Sequence, residues 1–451
     1  MSGGVFTLGR ITGISANERT AANRLANLTS QLSSSSPRER LLQKNPDDVC
    51  YLPFPSLFFS SDTQQIVVTC ALRTAFTKGG RGGFKDTHAA DLLAGVFQGV
   101  IKKSGIDPAA VEDISVGNVL SPGGGATEFR AAALVAGFPV TTAVKATNRQ
   151  CSSGLQACVD IAAAISAGII DVGIGAGVES MSLNYGPQAV SEFSDLLNGV
   201  QKAKDCKVPM GVLSEAMAKD RGVARKDQDE FAAKSYQKAE AAQKAGLFDE
   251  EIWPLEVNFE DPKSGETKRI VVKADDGVRA GMTAEALGKI RPAFAKDGSI
   301  HAGNASQISD GAAAVLLMKR STAQKLGQTI IGKFVTASVT GVEPLLMGIG
   351  PWASIPKVFE KTGLSKDDVD IFEINEAFAS QCLWCANELG LDEKKINPKG
   401  GAIAFGHPLG CTGARQVSTL LTELRRTGGK IGLTSMCVGT GMGMAAVWVA
   451  E

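Results

Sequence analysis

The sequence predicts an α/β fold built from two similar halves, with a more charged segment inserted between them. Three observations lead there. Short apolar strand-like runs alternate with helix-like stretches, the alternation recurs toward the carboxyl end, and the stretch from about 182 to 300 departs from it. Ile66-Val67-Val68 opens the first buried strand, and His88–Lys103 follows with helical periodicity. Ile114–Gly117 reads as a second strand. Ala143–Asn148 is a strand running into Cys151, Leu155–Ala167 an apolar helix, and Val172–Gly175 another buried strand. Within the insertion, Asp220–Lys244 is expected as an exposed amphipathic helix. Past it, Gly406–Leu421 echoes Asn148–Ala163, with cysteine and glycine placed just before a helix. Asp171–Glu179 and Lys430–Gly443 match as strand-then-turn segments, so a duplicated βαβ unit is expected.

Composition narrows the possibilities. A chain of 451 residues suffices for about three domain-sized units. Its 51 glycines and 6% aromatics suit helices and strands that approach closely. Lys+Arg and Asp+Glu balance at 47 each, so no global field favours nucleic acid or an anionic membrane, although a local basic patch can still meet an anionic substrate. The nine cysteines form no short-spaced framework, and their odd number points to free thiols in a reducing compartment. No run of about 18 apolar residues is present, so no membrane span is expected.

The first 45 residues are unlike the rest. Ala21, Leu25, Leu28 and Leu32 recur at helical spacing, bracketed by Arg24-Leu25 and Gln31-Leu32. This R-L-x5-Q-L pattern resembles an amino-terminal peroxisomal targeting signal, which is read by an import receptor and not by lipid. The alternatives are a chance match or a mitochondrial presequence; Glu18 and Glu39 count against the latter.

Three residues carry the chemistry. Cys151, in Asn148-Arg149-Gln150-Cys151-Ser152-Ser153-Gly154, sits where a strand ends and a helix begins. The helix dipole and free N–H groups there are expected to lower its pKa and favour the nucleophilic thiolate. A buried structural cysteine is the alternative. His407, one of only three histidines, lies in the glycine-rich turn Gly400–Gly410 before a helix. Imidazole is the natural base to activate a cysteine near neutral pH, and helix capping is the bland alternative. Cys437, in Ser435–Gly443, suits proton transfer at a carbon beside a thioester carbonyl, and Gly439 beside it can present an N–H to an oxyanion.

Cys151 with Ser-Ser-Gly, Asn375-Glu376-Ala377-Phe378, Gly406-His407-Pro408 and Cys437-x-Gly439 resemble the four signatures of the thiolase family, in the family's order. The likeness runs from Ile66 to the carboxyl end. Leu72-Arg73-Thr74, Gly117–Leu120 and Gly303–Ser306 extend it. Val208–Gly211 and Arg225–Asp229 are most similar to the peroxisomal 3-ketoacyl-CoA members.

The resemblance implies two βαβαβαββ halves with five-stranded mixed sheets in an α/β/α/β/α layering. Residues 66–182 plus 301–325 would form the first half and 326–451 the second. Residues 183–300 would form a loop domain, and 1–65 a targeting segment and extension. It implies thiolytic cleavage of 3-ketoacyl-CoA to acetyl-CoA and a shortened acyl-CoA in fatty-acid β-oxidation. Coenzyme A would be co-substrate, with no permanently bound cofactor and no metal. Cys151 would attack, His407 act as base and Cys437 protonate the enolate. One oxyanion site would use His407 with a water held by Asn375; the other, the N–H groups of Cys151 and Gly439. Ser306, Met210 and Phe378 match positions lining the pantetheine and acyl path, with core packing as the alternative. Lys219, Arg221 or Arg225 would meet CoA phosphates. A homodimer in the peroxisome matrix is implied, with the mitochondrial matrix as alternative. The rival activities are a short-chain acetoacetyl-CoA thiolase and a silent CoA- or lipid-binding relative.

Two departures stand out. The Phe-rich stretch Cys50–Phe59 interrupts the family pattern and is expected to be an insertion, and His301 replaces a small or hydroxyl residue. Three decoys are set aside. Cys382-x-x-Cys385 lacks a second ligand pair, and Gly327-x4-Gly332-Lys333 lacks the Ser/Thr of a phosphate loop. Gly439-x-Gly441-x-Gly443 has no helix after it.

Overall fold

Strands buried on both faces are largely apolar, and Ile66–Arg73, Val172–Ser180, Ile431–Val438 and Met442–Ala450 follow that rule. The computed structural model describes residues 36–42, 65–186 and 192–451. The helix expected over 21–32 and the stretch 50–64 lie outside them. A separate short helix, Pro37–Leu41, is capped reciprocally: Ser36 N–H donates to Glu39 Oε2 at 2.7 Å and Glu39 N–H to Ser36 Oγ at 3.2 Å.

The first half runs β1 (Ile66–Arg73), the short β2 (Thr77–Lys78), α1 (Ala89–Ser104), β3 (Asp113–Gly117), α2 (Ala126–Ala136), β4 (Ala143–Thr147), α3 (Ser153–Ser166) and β5 (Val172–Ser180). It closes with β8 (Ser309–Lys319) after the insertion, giving the strand order β1-β8-β5-β3-β4. β3 runs parallel to β4 and β5, whereas β8 is antiparallel to β1 and β5. The second half repeats the plan: β9 (Gly332–Gly341), α6 (Gly350–Thr362), β10 (Ile371–Ile374), α7 (Ala379–Glu388), α8 (Thr412–Thr427), β11 (Ile431–Val438) and β12 (Met442–Ala450). Its order, β10-β11-β12-β9, matches β3-β5-β8-β1 with the same directions. The place of β4 is held by a single parallel bridge, Phe372 to Ile396. Asn397 next in line adopts φ 43°, and Pro398 after it has no N–H to donate, so the strand stops at one residue. β1 meets β9 through two residue pairs, which joins the two sheets along that side.

Helices α3 and α8 pack together at their amino-terminal ends through glycines. A Cβ on Gly413 would lie 2.2 Å from Leu155 N, and one on Gly154 2.6 Å from Gly410 O. Helix α8 is buried almost throughout, so its polar side chains are tied up internally. Arg415 Nη1 meets Glu373 Oε2 at 2.7 Å, and Gln416 Nε2 donates to the carbonyls of Glu373 and Ser435.

Between β5 and β8 the chain forms α4 (Met210–Asp220), α5 (Arg225–Lys244) and the hairpin β6 (Leu255–Glu260)–β7 (Thr267–Val272). The helix expected over Asp220–Lys244 begins at Arg225, because Gly222 takes φ 66° and breaks it from α4. Its amphipathic character holds, with Ala232, Ala239 and Tyr236 on the buried side. Of the decoys, Gly332-Lys333 opens strand β9, Gly439 and Gly441 lie in the β11–β12 turn, and Gly443 is in β12. Cys382 and Cys385 are buried in α7, their Sγ atoms facing the carbonyls of Ile374 and Gly348.

A buried charge cluster joins the insertion to both halves. Arg73 Nε meets Glu251 Oε1 at 2.7 Å, and its two terminal nitrogens clamp Asp275 at 2.7 and 2.9 Å. Lys399 Nζ meets Glu251 Oε2 at 2.7 Å, and Thr419 Oγ1 donates to Oε1 at 2.9 Å. The rings of Phe76, Phe248 and Phe405 surround the guanidinium at 5.2–5.8 Å. Burial pushes the Glu251 carboxyl up, but Lys399 and Arg73 outweigh it and hold the pKa at about 2. That contribution to stability is complete above the ordinary value of 4.5 and is lost as pH falls toward 2. Glu251→Gln leaves two buried cations short of a partner and should lower the unfolding free energy by about 3–5 kcal/mol in urea at neutral pH. The gap between variant and parent should narrow as pH falls from about 5 toward 2; a constant gap would count against the pairing.

Candidate active site

Cys151 and Asn375 follow the carboxyl ends of the parallel strands β4 and β10, and Cys437 lies near that end of β11, where an α/β sheet opens a crevice. After β4, Asn148 Oδ1 accepts from Gln150 N–H at 2.9 Å, and Gln150 takes φ 48°, a costly conformation for a non-glycine. Arg149 N–H donates to Ser153 Oγ at 2.9 Å. This locked turn aims Cys151, 2% exposed, at a cavity of about 700 Å³ that His407 also lines.

The thiol is not poised as expected. Burial pushes the Cys151 pKa up to about 11; the N–H groups of Gly439 and of Cys151 itself lower it, and Glu179 raises it again. A helix end and free N–H groups favour a thiolate, but this sulfur is almost completely removed from water, and desolvation wins.

His407 follows Gly406, whose φ of 115° and contact with Ser309 exclude a side chain there. The imidazole Nδ1 lies 2.6 Å from Thr412 Oγ1, which donates its single proton to Pro408 O at 2.9 Å. Thr412 therefore accepts from Nδ1–H, and Nε2 is left with its lone pair. Asn375 Nδ2 lies 3.2 Å from that Nε2. Burial, aided by Arg415, brings the His407 pKa down to about 3, so the ring rests neutral. Thr412 was not read from the sequence; its signal was a hydroxyl in the first turn of the helix after the histidine.

Asn375 and Cys437 come from neighbouring strands. Asn375 N–H donates to Ser435 O at 2.9 Å, while its Oδ1 is buried with no partner among the described residues. Cys437 is fully buried and packs with Leu213, Ile300, Ala305, Met347, Ala377 and Phe378. It lies behind the cavity wall and does not line the cavity, although Cys151 is close enough to raise its pKa beyond the rise that burial causes. The turn after β11 that presents Gly439 N–H to Cys151 holds Thr440 at φ 67°.

Met210, Ser306 and Phe378 all line the cavity. Ser306 N–H donates to Ala377 O at 3.0 Å, and Ala305 bridges Phe378, so these walls are one unit. Lys219, Arg221 and Arg225 do not line it: Arg221 stacks over Trp384 at 5.1 Å, and Arg225 binds Asp229 at 2.7 Å. The cations that do are Lys78, Arg81 and Arg279. They escaped the sequence reading because β2 pairing with β8 brings Lys78 to a segment more than 200 residues away.

Two further residues hold the frame. Glu376 turns away from the cavity and accepts from Ser235 Oγ at 2.6 Å, Asn397 Nδ2 at 2.8 Å and Ile403 N–H at 3.3 Å, tying down the turn before His407. His301 is buried beside the cavity; its Nδ1 accepts from Gly303 N–H at 3.0 Å, so Nε2–H donates to Asp229 Oδ1 at 2.7 Å. It pins the loop leading to Ser306 onto α5.

Residues 66–321 match the family model described as thiolase, N-terminal domain, and residues 328–450 match thiolase, C-terminal domain. The peroxisomal 3-ketoacyl-CoA thiolase of Yarrowia lipolytica is 55% identical over 95% of this chain and all of its own length. The peroxisomal 3-ketoacyl-CoA thiolase 2 of Arabidopsis thaliana is 52% identical over 85% of this chain and 83% of its own. The crystal structure of the dimeric peroxisomal thiolase of Saccharomyces cerevisiae superposes with a TM-score of 0.82 at 46% identity, covering 92% of this chain and 100% of that one. Two matching domains and close likeness along nearly the whole length establish that this chain belongs to the thiolase family.

Proposed function

We propose that the chain is a 3-ketoacyl-CoA thiolase that cleaves 3-ketoacyl-CoA with coenzyme A to acetyl-CoA and a shortened acyl-CoA, as its curated relatives are named for doing. The observation that carries this reading is the meeting, at one cavity, of the Cys151 thiol and the His407 imidazole, with the Gly439 N–H directed at the Cys151 sulfur.

The resting pair is a neutral thiol and a neutral imidazole. As the 3-keto carbonyl enters, Cys151 gives its proton to His407 Nε2 and its sulfur attacks C3. The new imidazolium N–H, with a water at the unpartnered Asn375 Oδ1, serves one oxyanion, and the Gly439 and Cys151 N–H groups serve the other. Collapse breaks C2–C3 and leaves the acyl group on Cys151. The departing acetyl-CoA enolate takes a proton from Cys437, which a small movement of the Ala377–Phe378 wall would expose. A second CoA thiol gives its proton to the Cys437 thiolate, its sulfur displaces the acyl group through a second tetrahedral oxyanion, and the His407 imidazolium returns its proton to the departing Cys151 sulfur. Preorganised oxyanion donors of this kind are each worth about 3–4 kcal/mol.

Coenzyme A is bound as co-substrate, with Lys78, Arg81 and Arg279 meeting its phosphates and Met210, Ser306 and Phe378 flanking the pantetheine and acyl path. Residues 183–300 act as a loop domain beside the two halves formed by 66–182 plus 301–325 and by 326–451. The enzyme works as a homodimer in the peroxisome matrix, delivered by an import receptor that reads residues 24–32. The peroxisomal names of the relatives support this location.

Thiolysis should be measured with C4 and C16 3-ketoacyl-CoA; activity on C4 alone would replace the degradative reading with the acetoacetyl-CoA one. Cys151→Ala should abolish the acyl-enzyme trapped by mass spectrometry and all thiolysis. Because the resting thiol is protonated, alkylation of Cys151 by iodoacetamide should climb with pH without levelling off below about pH 9. A plateau at pH 6–7 would instead mark a standing thiolate–imidazolium pair. Thr412→Val removes the acceptor that fixes the tautomer and should lower kcat by about 10- to 100-fold while KM changes little.

A further inference from the structure

Beside the proposed nucleophile lies a carboxylate that the reaction does not use. Glu179, near the end of β5, is fully buried, and its two oxygens accept four hydrogen bonds. Oε1 takes Asn118 Nδ2 at 3.0 Å and Leu120 N–H at 3.1 Å; Oε2 takes Val119 N–H at 3.1 Å and Gly410 N–H at 2.9 Å. The first three donors belong to the loop after β3. The fourth belongs to the second half, on the turn that carries His407.

Around this bond the backbones touch. A Cβ on Gly177 would lie 2.2 Å from Gly410 O, and one on Gly410 would lie 2.6 Å from Asn118 Cα. Glycine makes the approach possible, and the carboxylate supplies a directional hold across it. Four N–H donors leave no place for a proton on either oxygen, so the geometry suits only the anion. Burial pushes the carboxyl up to about 7 while these donors draw it down, so the hold is complete only on the alkaline side of neutrality. The titratable groups facing it are the thiols of Cys151, on the turn before α3, and Cys411, at the start of α8.

We propose that Glu179 is a positioning residue that fixes the His407 turn against the Cys151 turn. The charge that makes this hold also adds to the resistance that burial sets against a thiolate at Cys151. This rests on the roles assigned above to Cys151 and His407.

The test uses the full chain with Glu179→Gln and Glu179→Asp. Alkylation of Cys151 by iodoacetamide is followed by peptide mass spectrometry across pH, and thiolysis gives kcat and KM. Glu179→Gln removes the charge and should move the alkylation profile about one unit toward lower pH. It should also lower kcat at least about 10-fold with KM within about twofold, because an amide presents N–H to N–H. Glu179→Asp keeps the charge but falls short of Gly410; the profile should stay in place while kcat drops. A role in folding alone would lower kcat in both variants without moving the Glu179→Gln profile, and that result overturns the proposal. If Glu179→Gln does not fold, unchanged kcat in Glu179→Asp overturns it equally. An inactive parent enzyme would refute the proposed reaction, while the alkylation arm would still judge Glu179.

Discussion

Everything near the cavity depends on one buried cation. Arg73 belongs to the first half, its partners Glu251 and Asp275 to the insertion, and Lys399 and Thr419, which share Glu251, to the second half. Charges stripped of water hold together only when every partner arrives, so three chain segments are forced into one arrangement. The same strip of insertion also shapes the site. Asp275 accepts from Phe76 N–H, Asp276 accepts from Lys78 N–H, and three residues later Arg279 reaches the cavity with Lys78 and Arg81. The wall that carries positive charge is thereby tied to the core that carries the thiol and the imidazole.

Duplication supplies the second constraint. Each half ends its central crossover in a turn leading to a helix of the middle layer: Cys151 precedes α3, and His407 precedes α8. The duplicated helices must cross with their first turns in contact for these side chains to share a cavity. Gly154, Gly410 and Gly413 allow it, since a Cβ at any of them would lie within 3 Å of backbone. The halves are equivalent in topology but not in chemistry. Cys411 stands one residue before α8, yet it is fully buried, and desolvation raises its thiol further than that of Cys151.

How much of this was visible in the sequence varied with the physics involved. Apolar runs placed β1, β3, β5 and α3 within a few residues, because burial between helical layers leaves a strong local pattern; β4, a partly exposed edge strand, was placed by its run into Cys151. Cys151, His407 and Cys437 were legible from the glycine-bearing turns around them, whereas Asn375 came only with the family resemblance. What stayed hidden depends on distance or desolvation. Lys78 and Arg279 lie far apart in the chain and meet only through the fold, whereas Arg221 and Arg225, nearer to the expected region, are turned toward Trp384 and Asp229. The helix break at Gly222 was lost in a stretch of continuous polar periodicity. The recess of Cys437 behind Ala377 and Phe378 could not be read from its strand alone.

The two thiols of the proposed reaction show why desolvation matters more than motif. Both are cysteines at the end of a strand or turn, and burial raises both. Cys151 differs in having the N–H of another residue, Gly439, aimed at its sulfur, an opening to the cavity, and an imidazole lining the same space whose unprotonated Nε2 meets Asn375 Nδ2 at 3.2 Å. Each of these lowers the barrier to losing its proton only when a carbonyl is present to take the developing charge. Cys437 has only its own N–H near the sulfur; its apolar surroundings keep the proton on sulfur, which is the form that the enolate of the proposed reaction requires. Identical side chains are thus separated into a nucleophile and an acid by their neighbours, as paired titratable groups in other enzymes are. In the proposed reaction such a site holds the Cys151 sulfur as thiol at rest, and the thiolate forms as the substrate carbonyl arrives to take the developing charge.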